Sequence, residues 1–120
     1  MHEHISDILL QILDQLKYLH FQTKSYARHV ALGNLYDSLS DLVDEFVEVY
    51  MGKYGRVKTR GVIHLGNLGD VNIDNFMDEV VHILCSFTKA FPDPDDSDLL
   101  NIRDEMLGKV NRTKYLLTLE

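Results

Sequence analysis

Apolar residues recur along this chain every three to four positions, and no stretch alternates apolar and polar residues over the length of a strand. This spacing places apolar side chains on one face of an α-helix. The pattern therefore predicts an all-α domain spanning residues 1–120, a length typical of one domain. The predicted helices cover residues 5–28, 32–51, 72 or 74 to 90, and 98–119.

The first two predicted helices cannot form one straight helix. At about 100° per residue, their apolar stripes lie on roughly opposite sides of a continuous rod. A straight rod would bury one stripe and expose the other. We therefore expect a kink or turn between His29 and Asn34, with Gly33-Asn34 as its expected position.

The connections between helices predict the topology. The first and second helices are joined tightly, and the turn FPDPDDSD joins the third and fourth, so each pair is expected to form an antiparallel hairpin. About twenty residues, 52–71, separate the second helix from the third. One long crossover between two helical hairpins is the connectivity of a ferritin-like four-helix bundle.

Composition and charge exclude several classes of protein. The formal net charge is -7, which argues against a sequence-independent DNA binder, because such proteins need a basic face. We find neither a signal peptide nor an apolar run of the roughly 20 residues that a membrane span needs. The single cysteine, Cys85, lies in an apolar run and is expected to be buried in the core. A single cysteine is also typical of a protein in a reducing compartment. These features predict a cytoplasmic protein.

A segment at the end of the second helix concentrates positive charge. GKYGRVKTRG, residues 52–61, contains four cations, one tyrosine and no acid. Glycines allow close approach of backbone N–H groups to a ligand, and arginine forks match phosphate or carboxylate oxygens. We predict that this basic segment binds an anionic ligand or an acidic partner; the alternative is that it solubilises the crossover and offsets the helix C-terminus. The predicted ligand residues are Lys53, Tyr54, Arg56, Lys58 and Arg60.

Two stretches carry a resemblance to a known family. LHFQTKSYARHVALGNLYDSLSDLVDEFVE resembles the first hairpin of the Dps-like branch of the ferritin superfamily, and SDLLNIRDEMLGKVNRTKYLLTL resembles its last helix. Through LHFQTKSYARH and GKYGR, the chain is more similar to small uncharacterised proteins of phages and large viruses with the same predicted bundle. The resemblance implies a viral protein acting in the host cytoplasm. We also expect a homo-oligomer, a dimer or higher, because the second helix has extra apolar residues, Val47 and Val49, beside its core-facing stripe.

The resemblance also implies a candidate metal site. In the Dps family, histidines and carboxylates of the first two helices share a metal across a two-fold interface. His20 matches the first histidine and Asp37 the first aspartate, but Gly33 then stands where a second histidine should be. A register that restores a later carboxylate pair uses Asp44 and Glu48 and loses Asp37. The implied ligands of Fe or Mn are therefore His20, Asp37, Asp44 and Glu48, with the motif incomplete.

Each candidate metal residue also has a simpler interpretation. The second helix carries a row of acidic residues, whose oxygens are suitable ligands for hard metal ions. Because this row lies opposite the apolar stripe, it could instead be a solvated outer face. His20, at the border of the core, could be a hydrogen-bonded core-edge residue. Glu79 and His82 form one E-x-x-H, whereas a di-iron bundle needs two. The acidic row consists of Asp37, Asp41, Asp44, Glu45 and Glu48.

These patterns leave two functional hypotheses. The first is a non-catalytic viral binding protein that captures an anionic small molecule, such as a nucleotide-type signal, or a host protein through the basic segment. The second is Dps-like iron binding and oxidation at an intersubunit site. No order of Ser, His and Asp or of Cys and His suggests a catalytic nucleophile.

Overall fold

A computed structural model describes residues 2–119 and confirms the all-α class. Within these residues the backbone forms no strand, only an isolated bridge between Leu68 and Val71. Four helices and two short 3-10 turns make up the regular structure. They are α1 (Ile5–Gln22), α2 (Tyr26–Tyr54), α3 (Ile73–Ala90), the turn Pro94–Asp96, α4 (Ser97–Leu116) and the turn Leu117–Leu119. No described helix is both long and apolar enough to cross a membrane.

The break between α1 and α2 lies earlier than predicted. Thr23 leaves α1 in an extended conformation, and the Ser25 side chain caps α2 by accepting a hydrogen bond from the Arg28 N–H. Serine is a preferred N-cap because its oxygen satisfies an otherwise unpaired N–H of the first turn. The prediction that α1 and α2 do not form one straight helix is confirmed. The predicted position of the break, between residues 29 and 34, was wrong. Gly33 lies within α2.

Two histidines close the α1–α2 hairpin. The Nδ1 of His20 donates to the His29 carbonyl oxygen at 2.7 Å, and the Nδ1 of His29 donates to the His20 carbonyl oxygen at 2.8 Å. The two rings stack with their centroids 3.9 Å apart. A Cβ on Gly33 would lie only 2.7 Å from Cε1 of His20, so glycine makes room for this pair. His20 is therefore a hydrogen-bonded residue at the edge of the core.

The helices pack in the order α1, α2, α4, α3 around one core. The C-terminal end of α2 meets the N-terminal end of α4 through Lys53 and Asp98, so these helices are antiparallel. All four helices contribute fully buried side chains, such as Leu19, Phe46, Phe87 and Leu99. Among the described residues, however, α1 and α3 have almost no backbone contact with each other. The fourth side of the bundle is thus left open.

The long crossover, residues 55–72, runs along α1 in the same direction as that helix. Polar side chains of α1 accept hydrogen bonds from four backbone N–H groups spaced along the crossover. These bonds give partners to N–H groups that have none in a helix or sheet. We call this arrangement the α1 ladder. It pairs Asp7 with Arg60 (2.8 Å), Gln11 with His64 (3.1 Å), Gln15 with Gly66 (2.7 Å) and Gln22 with Leu68 (2.8 Å).

The boundaries and phase of α3 test two further predictions. Its predicted start is confirmed, because the Asn72 side chain caps the helix by accepting from the Asn75 N–H.

The predicted burial of Cys85 is wrong, since this thiol is exposed. Leu84 and Phe87 face the core, and a residue directly after Leu84 is rotated about 100° away from it. The apolar run around Cys85 hid this difference in phase.

Candidate functional site

The open side of the bundle contains a cleft of about 650 Å³. It exists because the backbones of α1 and α3 stay apart, while the crossover covers only part of the gap between them. Side chains from α1, the crossover and α3 form three walls, and the N-terminal segment closes one end. The walls include Ile8, Gln11 and Ile12 from α1, Arg60, Val62 and His64 from the crossover, and Phe76, Val80 and Ile83 from α3.

One end of the cleft, near the start of α1, is polar. The Asp7 carboxylate accepts from the Arg60 backbone N–H, and this bond, with a second from the Thr59 hydroxyl, lowers the pKa of Asp7. His4 donates from Nδ1 to the Lys58 carbonyl oxygen at 3.0 Å, as a carbonyl only accepts. The Arg60 side chain is exposed and forms no hydrogen bond or ion pair within residues 2–119. We call this region the polar end.

Two predicted ligand residues are instead bound to the α3–α4 turn. Lys53 Nζ donates to the Asp95 carbonyl oxygen at 2.6 Å and to Asp98 Oδ1 at 3.0 Å. The Tyr54 hydroxyl lies 2.6 Å from both carboxylate oxygens of buried Asp96. This hydrogen bond is the main reason that the pKa of Tyr54 rises to about 12. These contacts fasten the end of α2 to the start of α4, and we call them the Asp96 lock.

The structure therefore divides the basic segment. Lys53 and Tyr54 belong to the Asp96 lock, whereas Arg56 and Lys58 are exposed outside the cleft. Arg60 alone of the five predicted ligand residues lines the cleft. Ligand binding by the segment stays a prediction, and Arg60 is the member best placed for it.

The candidate metal residues do not form a site within one chain. Asp37, Asp44 and Glu48 are exposed on α2, while His20 uses Nδ1 in the hairpin. In the part of the chain from residue 2 to 119, no three His, Cys, Asp or Glu side chains come together as a ligand set. The Dps-like alternative would thus need ligands from a second subunit and stays a prediction. Of the E-x-x-H pair, Glu79 lines the cleft, and His82 is exposed outside it.

Sequence reasoning missed the residues that shape the cleft. Asp7, Gln11 and Gln15 recur every four residues, which places them on one side of α1. Gln15 also donates from Nε2 to the Gly66 carbonyl oxygen at 2.9 Å, so both ends of its amide hold the crossover. This polar stripe beside the apolar one was the available signal that a segment lies against α1.

The Asp96 lock predicts a loss of stability at alkaline pH. The folded-state pKa of Tyr54 lies above its usual value of 10.0. Its contribution is therefore fully present below about pH 10 and is lost as the pH rises through about 12. We expect the difference in unfolding free energy between the wild type and Tyr54→Phe to shrink over that range. Urea unfolding at several pH values measures this difference.

A control separates this effect from general alkaline unfolding. Tyr115 is exposed, and its hydroxyl forms no hydrogen bond with the described residues, so the wild type and Tyr115→Phe should keep a constant difference. Lys53 also has a raised pKa, caused first by its hydrogen bond with Asp98, and it remains in every variant. A Tyr54→Phe difference that stays constant up to pH 12 would contradict the prediction.

Comparisons with known proteins give a family and no function. A model of a "Family of unknown function (DUF5856)" matches residues 20–117. The chain is also 36% identical, over 101 residues, to an "Uncharacterized 14.6 kDa protein in mobD-ri intergenic region" of Enterobacteria phage T4, with 84% of this chain and 75% of that protein covered. The predicted likeness to small phage proteins is thereby confirmed. No solved structure matches, so the ferritin-like assignment stays a prediction. By the extent of both matches, the chain belongs to the DUF5856 family.

Proposed function

We propose that this protein is a non-catalytic binding protein that captures an anionic small molecule with an apolar body in the cleft between α1 and α3. The observation that carries the proposal is the cleft itself, with branched aliphatic walls and an exposed arginine at its polar end. Its volume of about 650 Å³ lies within the range of about 300–1,000 Å³ that is usual for small-molecule sites. Mostly apolar walls with few polar groups are also typical of such sites.

The enclosure of the cleft favours a small molecule over a helix of a host protein. The crossover covers part of the gap between α1 and α3, and the N-terminal segment closes one end of the cleft. A helix of a partner lies along an open hydrophobic groove, which these two segments obstruct.

Arg60 is the residue proposed to hold the anionic group. Its guanidinium is a planar fork of donors that matches the oxygens of carboxylate or phosphate. The neighbouring Asp7 carboxylate accepts from the backbone N–H of Arg60 and from Thr59, and it is also attracted by the Arg60 charge. None of these contacts uses an N–H of the guanidinium, so its donors are available to an anion. The proposal therefore keeps the anionic ligand that the basic segment predicts. Of the five residues predicted to bind it, only Arg60 is kept as a ligand residue, because it lines the cleft.

Two finer parts of the proposal concern origin and architecture. The phage T4 relative supports a viral protein that acts in the host cytoplasm. The long crossover between two helical hairpins supports a ferritin-like bundle, whose relatives commonly assemble through symmetric interfaces. We propose a homo-oligomer on that basis.

A fluorescent anion with apolar rings, anilinonaphthalene sulfonate, tests the proposed site. We expect one probe to bind per chain and Ile8→Glu to abolish binding, because it places a negative charge inside the cleft. Leu10→Glu is the matched control, since Leu10 lies on the same helix outside the cleft and is 43% exposed, against 44% for Ile8. Equal binding by the wild type and Ile8→Glu would show that the cleft is not the site. Circular dichroism confirms that both variants remain folded.

A further inference from the structure

We infer that the captured molecule is a single-chain amphiphile, with its aliphatic chain along α1 and α3 and its anionic head group at Arg60. This inference rests on the proposed function and adds the chemical class of the ligand. The observations that carry it are the distribution of polar groups along the cleft, the aliphatic character of the walls, and the engagement of the polar side chains between them.

The α1 ladder shows how the polarity of the cleft changes along its length. Because the crossover runs parallel to α1, Arg60 lies beside Asp7 at the N-terminal end of that helix, and Gly66 lies beside Gln15. Val71 lies next to Gly66, and Phe76, the fourth residue of α3, begins the α3 wall. The cleft thus has the Arg60 cation at the end near the start of α1, and its lining towards Phe76 is mainly aliphatic but includes Gln15 and Glu79.

The walls beyond the polar end are aliphatic. They combine branched side chains of α1, the crossover and α3 with two aromatic rings, the phenyl ring of Phe76 and the imidazole of His64. The His2 ring, at the closed end, stacks on Phe91 with centroids 4.6 Å apart and bonds to the Tyr50 hydroxyl at 2.6 Å. Recognition of a nucleobase commonly uses a free aromatic face and groups that bond to the base edge. An aliphatic chain needs neither.

Polar groups within the cleft are largely engaged with the protein itself. Both ends of the Gln15 amide bond to Gly66, and Gln11 Oε1 accepts from the His64 N–H. Of the two carboxylates in the lining, Asp7 lies beside the positive charge of Arg60, which offsets its repulsion of an anion. Glu79 is exposed on α3 with no such cation in the lining, so an anionic head group would be repelled there. The head group is therefore expected at Arg60 and away from Glu79. Carboxylate and phosphate head groups share the oxygen chemistry that an arginine fork binds.

Isothermal titration calorimetry distinguishes the ligand classes, with each compound kept below the concentration at which it aggregates. The four probes are dodecanoate, dodecyl phosphate, dodecyltrimethylammonium and adenosine monophosphate. We expect one anionic amphiphile to bind per chain, and the cationic amphiphile to bind at least about tenfold more weakly. Arg60→Gln should weaken binding of the anionic amphiphile about tenfold, the size expected for one charge-assisted hydrogen bond. Arg56→Gln is the control, because Arg56 lies outside the cleft.

Each alternative result has a defined meaning. A preference between dodecanoate and dodecyl phosphate identifies the head group and supports the inference. Binding of adenosine monophosphate without either anionic amphiphile would overturn the inference and leave the proposed function standing. Equal binding of cationic and anionic amphiphiles, insensitivity to Arg60→Gln, or several molecules per chain would indicate unspecific apolar uptake and overturn it too. If no anion binds, including anilinonaphthalene sulfonate, both proposals fail.

Discussion

Replacing Asp96 by alanine is expected to lower the free energy of unfolding by about 2 kcal/mol, within the range for a hydrogen bond to a charged group. Asp96 is only 3% exposed. Its carboxylate accepts the Tyr54 hydroxyl at 2.6 Å and lies 3.6 Å from Lys53 Nζ. Without it, the Tyr54 hydroxyl loses its acceptor, whereas Lys53 keeps its contacts with the Asp95 carbonyl oxygen and Asp98. The loss is expected to be large because water cannot readily replace a buried carboxylate.

The Asp98→Ala variant is the matched control for this prediction. Asp98 also contacts Lys53, with its Oδ1 3.0 Å from Nζ, but its side chain is 52% exposed. An exposed ion pair is screened by water and contributes little to stability, so we expect Asp98→Ala to have a much smaller effect. Urea unfolding followed by circular dichroism gives both free energies. Similar losses for the two variants would mean that the burial of Asp96 does not make its contacts stronger.

A double-mutant cycle identifies the partner. In the Tyr54→Phe background the hydroxyl is already missing, so Asp96→Ala should have a smaller effect there than in the wild type. Additive effects of the two substitutions would indicate that Asp96 acts mainly through Lys53. This cycle also distinguishes a structural role of Tyr54 from the ligand-binding role predicted from the basic segment.

The basic segment illustrates what sequence alone can and cannot predict here. Its four cations and Tyr54 were correctly identified as unusual, yet their partners depend on distant residues. Tyr54 meets Asp96, which lies 42 positions later in the chain. Composition cannot distinguish a lysine that binds another helix from one that binds a ligand. In both cases the lysine pairs with an anionic group, and composition does not show whether that group belongs to the protein.

Local signals predicted the helices better than their arrangement. The apolar spacing and the Asn72 cap act over a few residues and were sufficient for the helical class and the start of α3. The Ser25 cap is equally local, and it starts α2 eight residues before Gly33. The cleft is different, because it results from two helices far apart in sequence, α1 and α3, whose backbones stay apart. No periodic pattern within either helix encodes that gap.

Gly33 provides the second large prediction, because its substitution should change stability in the direction opposite to helix propensity. Alanine is about 1 kcal/mol better than glycine inside a helix. At Gly33, however, the new methyl carbon would lie 2.7 Å from Cε1 and 3.0 Å from Nδ1 of His20. We expect Gly33→Ala to lower the free energy of unfolding by about 1–2 kcal/mol, the balance between overpacking and propensity.

The same helix contains the matched control. Gly52 also lies in α2, and a Cβ there would meet no atom within 4 Å. Gly52→Ala should therefore raise the free energy of unfolding by up to about 1 kcal/mol. Urea unfolding of the two variants should show changes of opposite sign. If both alanines stabilise the protein, the space around His20 is not as restricted as the hairpin geometry indicates.

The identity of the obstructing group can be tested by removing it. The imidazole of His20 cannot simply rotate away from Gly33, because it donates to the His29 carbonyl oxygen and stacks on the His29 ring. In a His20→Ala background the space is empty, so Gly33→Ala should become stabilising, as at Gly52. A change of sign between the two backgrounds would show that the glycine is needed for the histidine pair. A penalty that persists without the imidazole would place its cause in the α2 backbone instead.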